Sequence, residues 1–142
     1  MKGISSVIYA ILAGGSTSLE AFVNGELGKS TTPLIATFIS LIVGSIFFLI
    51  SILVSGEFKS LLNLNSISPK LLLGGLLGGL VIYFTVRSIP FLGVSKTLTL
   101  IVVSQMIVGF FIDRFILGQE QLHLYKIVGV LLLFIGTFFI LN

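Results

Sequence analysis

The chain contains no cysteine and a single histidine. Disulfides, thiolate-bound metals and thiol nucleophiles are therefore excluded, and one imidazole does not build a metal site. Charge is scarce too: only 9% of residues are Asp, Glu, Lys or Arg, and the net charge is +3. The eight basic residues are scattered rather than gathered into a patch interleaved with aromatics, which argues against nucleic-acid binding. A phosphate-cradling glycine loop and an activated Ser-His-Asp set are also missing. The sequence therefore predicts no enzyme, no cofactor and no metal.

What is present is apolar side chain. Hydrophobic residues make up 56% of the chain and the mean hydropathy is +1.21. A domain of this size in water needs far more polar surface. The expectation is an all-α integral membrane protein. In hydrocarbon the backbone must be satisfied within its own segment, and a barrel would show short alternating strands instead. The apolar blocks predict a single transmembrane domain of five helices, at about 4–26, 32–54, 69–87, 92–112 and 122–141. Lys2 and the apolar stretch to Ala13 imitate a signal peptide. Apolar residues resume at Leu19 with no clear Ala-x-Ala site, so this segment reads as a retained first span. Gly56–Lys59 and Asn63–Ser66 read as the longest loop. Pro69 suits the first turn of the third span, and Ser88-Ile89-Pro90 is expected to break it. Asp113-Arg114 is expected to close the fourth span, and His123 falls in the loop that follows.

An odd number of spans puts the termini on opposite sides. Lys2, Lys59, Lys70, Arg114 and Lys126 then share the N-terminal side, against Lys29, Arg87 and Lys96 on the other. This small excess favours a cytoplasmic N-terminus and leaves insertion in both orientations open.

The third span carries Gly74, Gly75, Gly78 and Gly79, two overlapping pairs at four-residue spacing. Such pairs let helix backbones approach closely in lipid, within one chain or across a dimer seam. Gly14, Gly15, Gly44, Gly109, Gly129 and Gly136 are candidates for close approach elsewhere.

Polar residues inside the spans are the candidate site. Ser16, Glu20 and Asn24 share one face of the first span, with Thr17 beside them. A carboxylate in low dielectric can exchange a proton near neutral pH, which is the chemistry of a proton-coupled carrier or a cation site. The alternative is a solvated carboxylate at headgroup depth, near Glu26 and Lys29. Arg87 and Lys96 either snorkel to the interface or turn inward to meet Glu20 or an anionic group. In the fourth span Thr97, Ser104 and Gln105 are candidates, and Tyr83 in the third. Gln105 falls near mid-span, so its amide is expected to face protein or water.

Two stretches carry a family resemblance. Ile116-Leu117-Gly118-Gln119-Glu120-Gln121-Leu122, followed by Ile127–Leu133 and Gly136, resembles the last span of drug/metabolite transporter domains. Asn24-Gly25-Glu26-Leu27-Gly28, Gly74–Gly78, Pro90-Phe91-Leu92-Gly93 and Ser104-Gln105 with Asp113 are similar to the small five-span YdcZ-type family (domain of unknown function 606). The resemblance implies a bacterial inner-membrane exporter built as one five-helix half of a ten-helix architecture. Larger relatives carry two such halves in inverted orientation. The family usually has Gln near the position of Glu20, and Lys96 is not one of its features.

A lone half needs a second half for alternating access. The expected unit is a dimer in the lipid bilayer, an antiparallel homodimer or a pair with a related subunit. Its cargo would be a small metabolite or cationic amphiphile. The competing readings are a non-transporting assembly subunit and a passive channel.

Overall fold

The computed structural model describes residues 2–62, 68–118 and 124–142. Every element among them is helical, and three helical segments are long and apolar enough to cross a membrane: Ile4–Ser30, Pro33–Ser55 and Lys70–Ile116. The chain divides into two compact units, Met1–Pro90 and Phe91–Asn142.

In the first unit, helix α1 (Lys2–Ser30) and helix α2 (Pro33–Ser55) form a tight hairpin. Local chemistry fixes the turn. The Thr31 amide and hydroxyl both donate to the Leu27 carbonyl, at 3.0 and 2.7 Å, and so occupy one of the last acceptors of α1. Thr32 is the N-cap of α2 and accepts from the Ile35 amide at 3.2 Å. Pro33 follows in the first turn, where its missing N–H costs nothing. Helix α2 ends at Gly56, whose φ of 77° is the left-handed conformation a glycine takes without strain. The Glu57 amide then donates to the Ile52 carbonyl at 3.1 Å, closing a Schellman-type cap. A short helix α3 (Phe58–Leu62) occupies part of the expected loop, and Asn63–Ser66 lie outside the described residues. Pro69 opens a 3-10 turn (Pro69–Leu72) that leads into helix α4 (Leu73–Phe111).

Burial in this unit gathers at the hairpin end. Ala21, Asn24, Ala36, Thr37, Thr85, Val86 and Ile89 are buried, whereas residues 4–20 are exposed. Two glycines let α1 meet the first part of α4. A Cβ on Gly28 would lie 2.3 Å from Val86 Cγ1, and one on Gly25 would lie 2.9 Å from Ile89 Cγ2. The partners run in opposite order, so the two helices cross antiparallel. This corrects the expectation of close packing at Gly74–Gly79 within one chain and leaves the dimer-seam alternative untouched. A Cβ on Gly74, Gly75 or Gly78 would meet nothing within 4 Å, and on Gly79 only Leu41 Cδ1, at 3.3 Å. Gly14, Gly15, Gly44, Gly109, Gly129 and Gly136 also face open space. The spacing identifies small residues but not which helix face has a neighbour.

Helix α4 corrects a second expectation. Its hydrogen bonding continues through Pro90, and the backbone departs from helix at Gly93 instead, with φ 77° and ψ 169°. Proline removes one amide bond, whereas that dihedral pair is open only to glycine at low cost. In the second unit, the rest of α4 runs into a widened π turn (Ile112–Ile116) containing Asp113 and Arg114. Helix α5 (Leu124–Leu141) follows, and residues 119–123, with His123, lie outside the described residues. Thr97, Val103 and Thr137 are buried there. Most other apolar side chains of both units are exposed, including Val54, Phe91 and Phe139. In a bilayer such a surface contacts acyl chains.

Candidate functional site

Glu20 and Asn24 sit one turn apart, and Asn24 Nδ2 lies 3.4 Å from Glu20 Oε1. The same nitrogen donates to Ser40 Oγ on α2, at 3.1 Å. Asn24 is only 6% exposed, so its amide is held between the two helices. Ser40 was not legible as a site residue, because its role depends on the register of α2 against α1. Ser16 is exposed and Thr17 donates to the Ala13 carbonyl at 2.9 Å, so neither joins the cluster.

Glu20 and Ser40 line a groove of about 750 Å³ in the first unit. Leu41, Val43, Phe47, Phe48 and Ile82 make it apolar, and the Phe47 and Phe48 rings meet edge to face at 5.3 Å. Ser45 also lines it but returns its proton to the Leu41 carbonyl at 2.7 Å. Glu26 and Lys29 form an exposed ion pair of 2.6 Å near the end of α1. At helical rise Glu20 lies about 9 Å along the axis from Glu26. The arrangement offers a negative group in an apolar recess, suited to a proton or an organic cation.

The other candidates are placed elsewhere. Within the first unit Arg87 does not turn inward to Glu20, one of the two alternatives for it. Arg87 donates to the Tyr83 hydroxyl on its own helix at 3.0 Å. Lys96 donates to the Leu141 carbonyl at the end of α5, at 2.6 Å. Long cations find the nearest acceptor, and a helix C-terminus presents unpaired carbonyls. Thr97 is 3% exposed, and its hydroxyl has no described partner. Ser104 bonds back to Leu100 and Ile101, both at 2.9 Å. Gln105 is exposed with no protein partner among the described residues, which leaves water or a second chain as the alternative its mid-span amide faces. No group of three or more His, Cys, Asp or Glu residues gathers among the described residues.

No curated protein and no solved structure matches the chain. A family profile described as "Putative inner membrane exporter, YdcZ" does match, over residues 5–139. That range takes in α1 to α4 and nearly all of α5, including the Glu20 groove. The protein therefore belongs to the YdcZ family of inner-membrane proteins.

Proposed function

We propose that the protein is a half-size secondary exporter that works as a dimer by alternating access, with Glu20 as its proton or cation site. The observation that carries this reading is the Glu20 carboxylate lining an apolar groove, steadied by a buried amide. An ionisable group inside a span is costly unless it is used.

Helix α4 has 39 residues, about twice the 20 that one crossing needs. That length, with the backbone break at Gly93, supports two crossings by α4 and five in the chain. Five helices make one half of a ten-helix transporter. The second half would be another copy in opposite orientation or a related subunit. The exposed Gln105 amide and the open space along Gly74, Gly75 and Gly78 are surfaces a second subunit would cover. The small excess of positive charge favours a cytoplasmic N-terminus and leaves insertion in both orientations open.

The test uses proteoliposomes, a lipophilic alkyltrimethylammonium probe and an entrapped pH dye. The expected result is saturable probe movement accompanied by proton counterflow, with the counterflow lost in Glu20→Gln. Flux that does not saturate and survives Glu20→Gln would establish a passive channel. Absence of flux would favour the assembly-subunit reading.

A further inference from the structure

We propose that Ser40 is the hydrogen-bond donor of the groove, selecting cationic substrates that carry an acceptor oxygen beside the charge. The inference rests on the groove being the substrate site. Its starting point is how hydroxyls behave elsewhere in α1 and α2. Thr17, Ser18, Thr37, Ser45, Ser51 and Ser55 each donate to a backbone carbonyl three or four residues back. That is the usual way a hydroxyl is satisfied within a span. Ser40 does not do this; its one partner among the described residues is Asn24 Nδ2, at 3.1 Å.

The direction of that bond follows from Glu20. The Asn24 amide turns its nitrogen toward the Glu20 carboxylate. The same nitrogen faces Ser40, which forces the Ser40 oxygen to accept. The Ser40 proton is left unspent. Ser40 lines the groove beside Glu20, so that proton is available to a ligand there.

The groove thus pairs a negative acceptor with a neutral donor, both within reach of one nitrogen and close enough for one small head group. Beyond them the walls are Leu41, Phe47 and Phe48. The matching ligand has a cationic nitrogen for Glu20 and an ether, carbonyl or hydroxyl oxygen a bond or two away for Ser40. An apolar tail lies along the phenyl rings. A cation with only hydrocarbon around its charge leaves the donor unpaired, which is costly away from water.

The experiment measures binding of two probes to the full-length protein in lipid nanodiscs. One is decyltrimethylammonium. The other has an ether oxygen in place of the methylene two carbons from the nitrogen. Wild type is expected to bind the ether probe about three- to tenfold tighter, the contribution of one hydrogen bond. In Ser40→Ala the ratio of the two affinities should fall to about one, the loss expected with that hydrogen bond removed. Glu20→Gln should weaken both probes. Equal affinities in wild type, or a preference that survives Ser40→Ala, overturns the role of Ser40 and leaves the groove reading intact. The wild-type comparison decides even where the alanine variant fails to fold. Failure of both probes to bind wild type overturns the groove reading and this inference with it.

Discussion

Lys96 and Thr97 are neighbours on α4 with opposite polar fates. Lys96 reaches the Leu141 carbonyl at 2.6 Å and ties the end of α5 to α4 within the second unit. A hydrogen bond from a charged donor contributes about 1.5–3 kcal/mol. Lys96→Met keeps the length of the side chain and removes the donor. Hydrogen exchange in the last turn of α5 should then speed up about tenfold or more, with the α1–α2 hairpin unchanged. Equal exchange would show that the bond does not hold the helix end. Thr97 buries a hydroxyl that bonds to nothing among the described residues. Thr97→Val keeps the shape and removes the unpaired group, so it should stabilise the protein by about 1–2 kcal/mol. Thermal unfolding in detergent reads this as a rise in Tm. A fall would mean that the hydroxyl has a use in the membrane.

At the scale of elements, the antiparallel crossing of α1 and α4 depends on two glycines. A methyl on Gly28 would collide with Val86, which is 1% exposed and has little room to move. Gly28→Ala should cost about 1–3 kcal/mol by overpacking. Val86→Ala removes the atom in the way and should recover much of that loss in a double-mutant cycle. Gly78→Ala is the contrast. Open space surrounds it, so the monomer should gain about 1 kcal/mol from helix propensity. If Gly78→Ala instead weakens self-association while raising monomer stability, the stripe is a subunit seam. These elements also show what the sequence makes readable. Thr32-Pro33 and Gly56 mark helix boundaries through local chemistry, and the four-residue spacing of Glu20 and Asn24 places them on one face. The partner of Asn24, the glycines that meet another helix and the site of the α4 break are set by inter-helix register. Composition is silent on that. Gly74–Gly79 look like a seam in sequence, yet the close contact falls at Gly25 and Gly28, within a stretch that stood out only as a family motif. Pro90 looks like the break, yet Gly93 takes it.

At the scale of the whole molecule, the question is how the proposed five-helix half would alternate its access. Opposed orientation of two copies supplies the symmetry that inverted repeats have within one chain. Its requirement is a charge bias small enough for both insertions, and the five-to-three division of basic residues is small. The absence of native cysteine makes the test direct. A single Cys at either terminus should react with an impermeant thiol reagent to about half its permeabilised maximum, the value for equal populations of both orientations. Lys29→Gln with Arg87→Gln should fix the N-terminus inside. The interactions lost there, with Glu26 and Tyr83, are exposed and contribute little to stability. Lys2→Gln, Lys59→Gln and Lys70→Gln together reverse the excess and should turn the N-terminus outward. Each biased protein alone should fold and lose export, and coexpression of the two should restore it. Restoration would tie activity to opposed orientation itself. One-sided labelling of the wild type would instead rule out the antiparallel homodimer, and the second half would have to be a different, oppositely inserted chain.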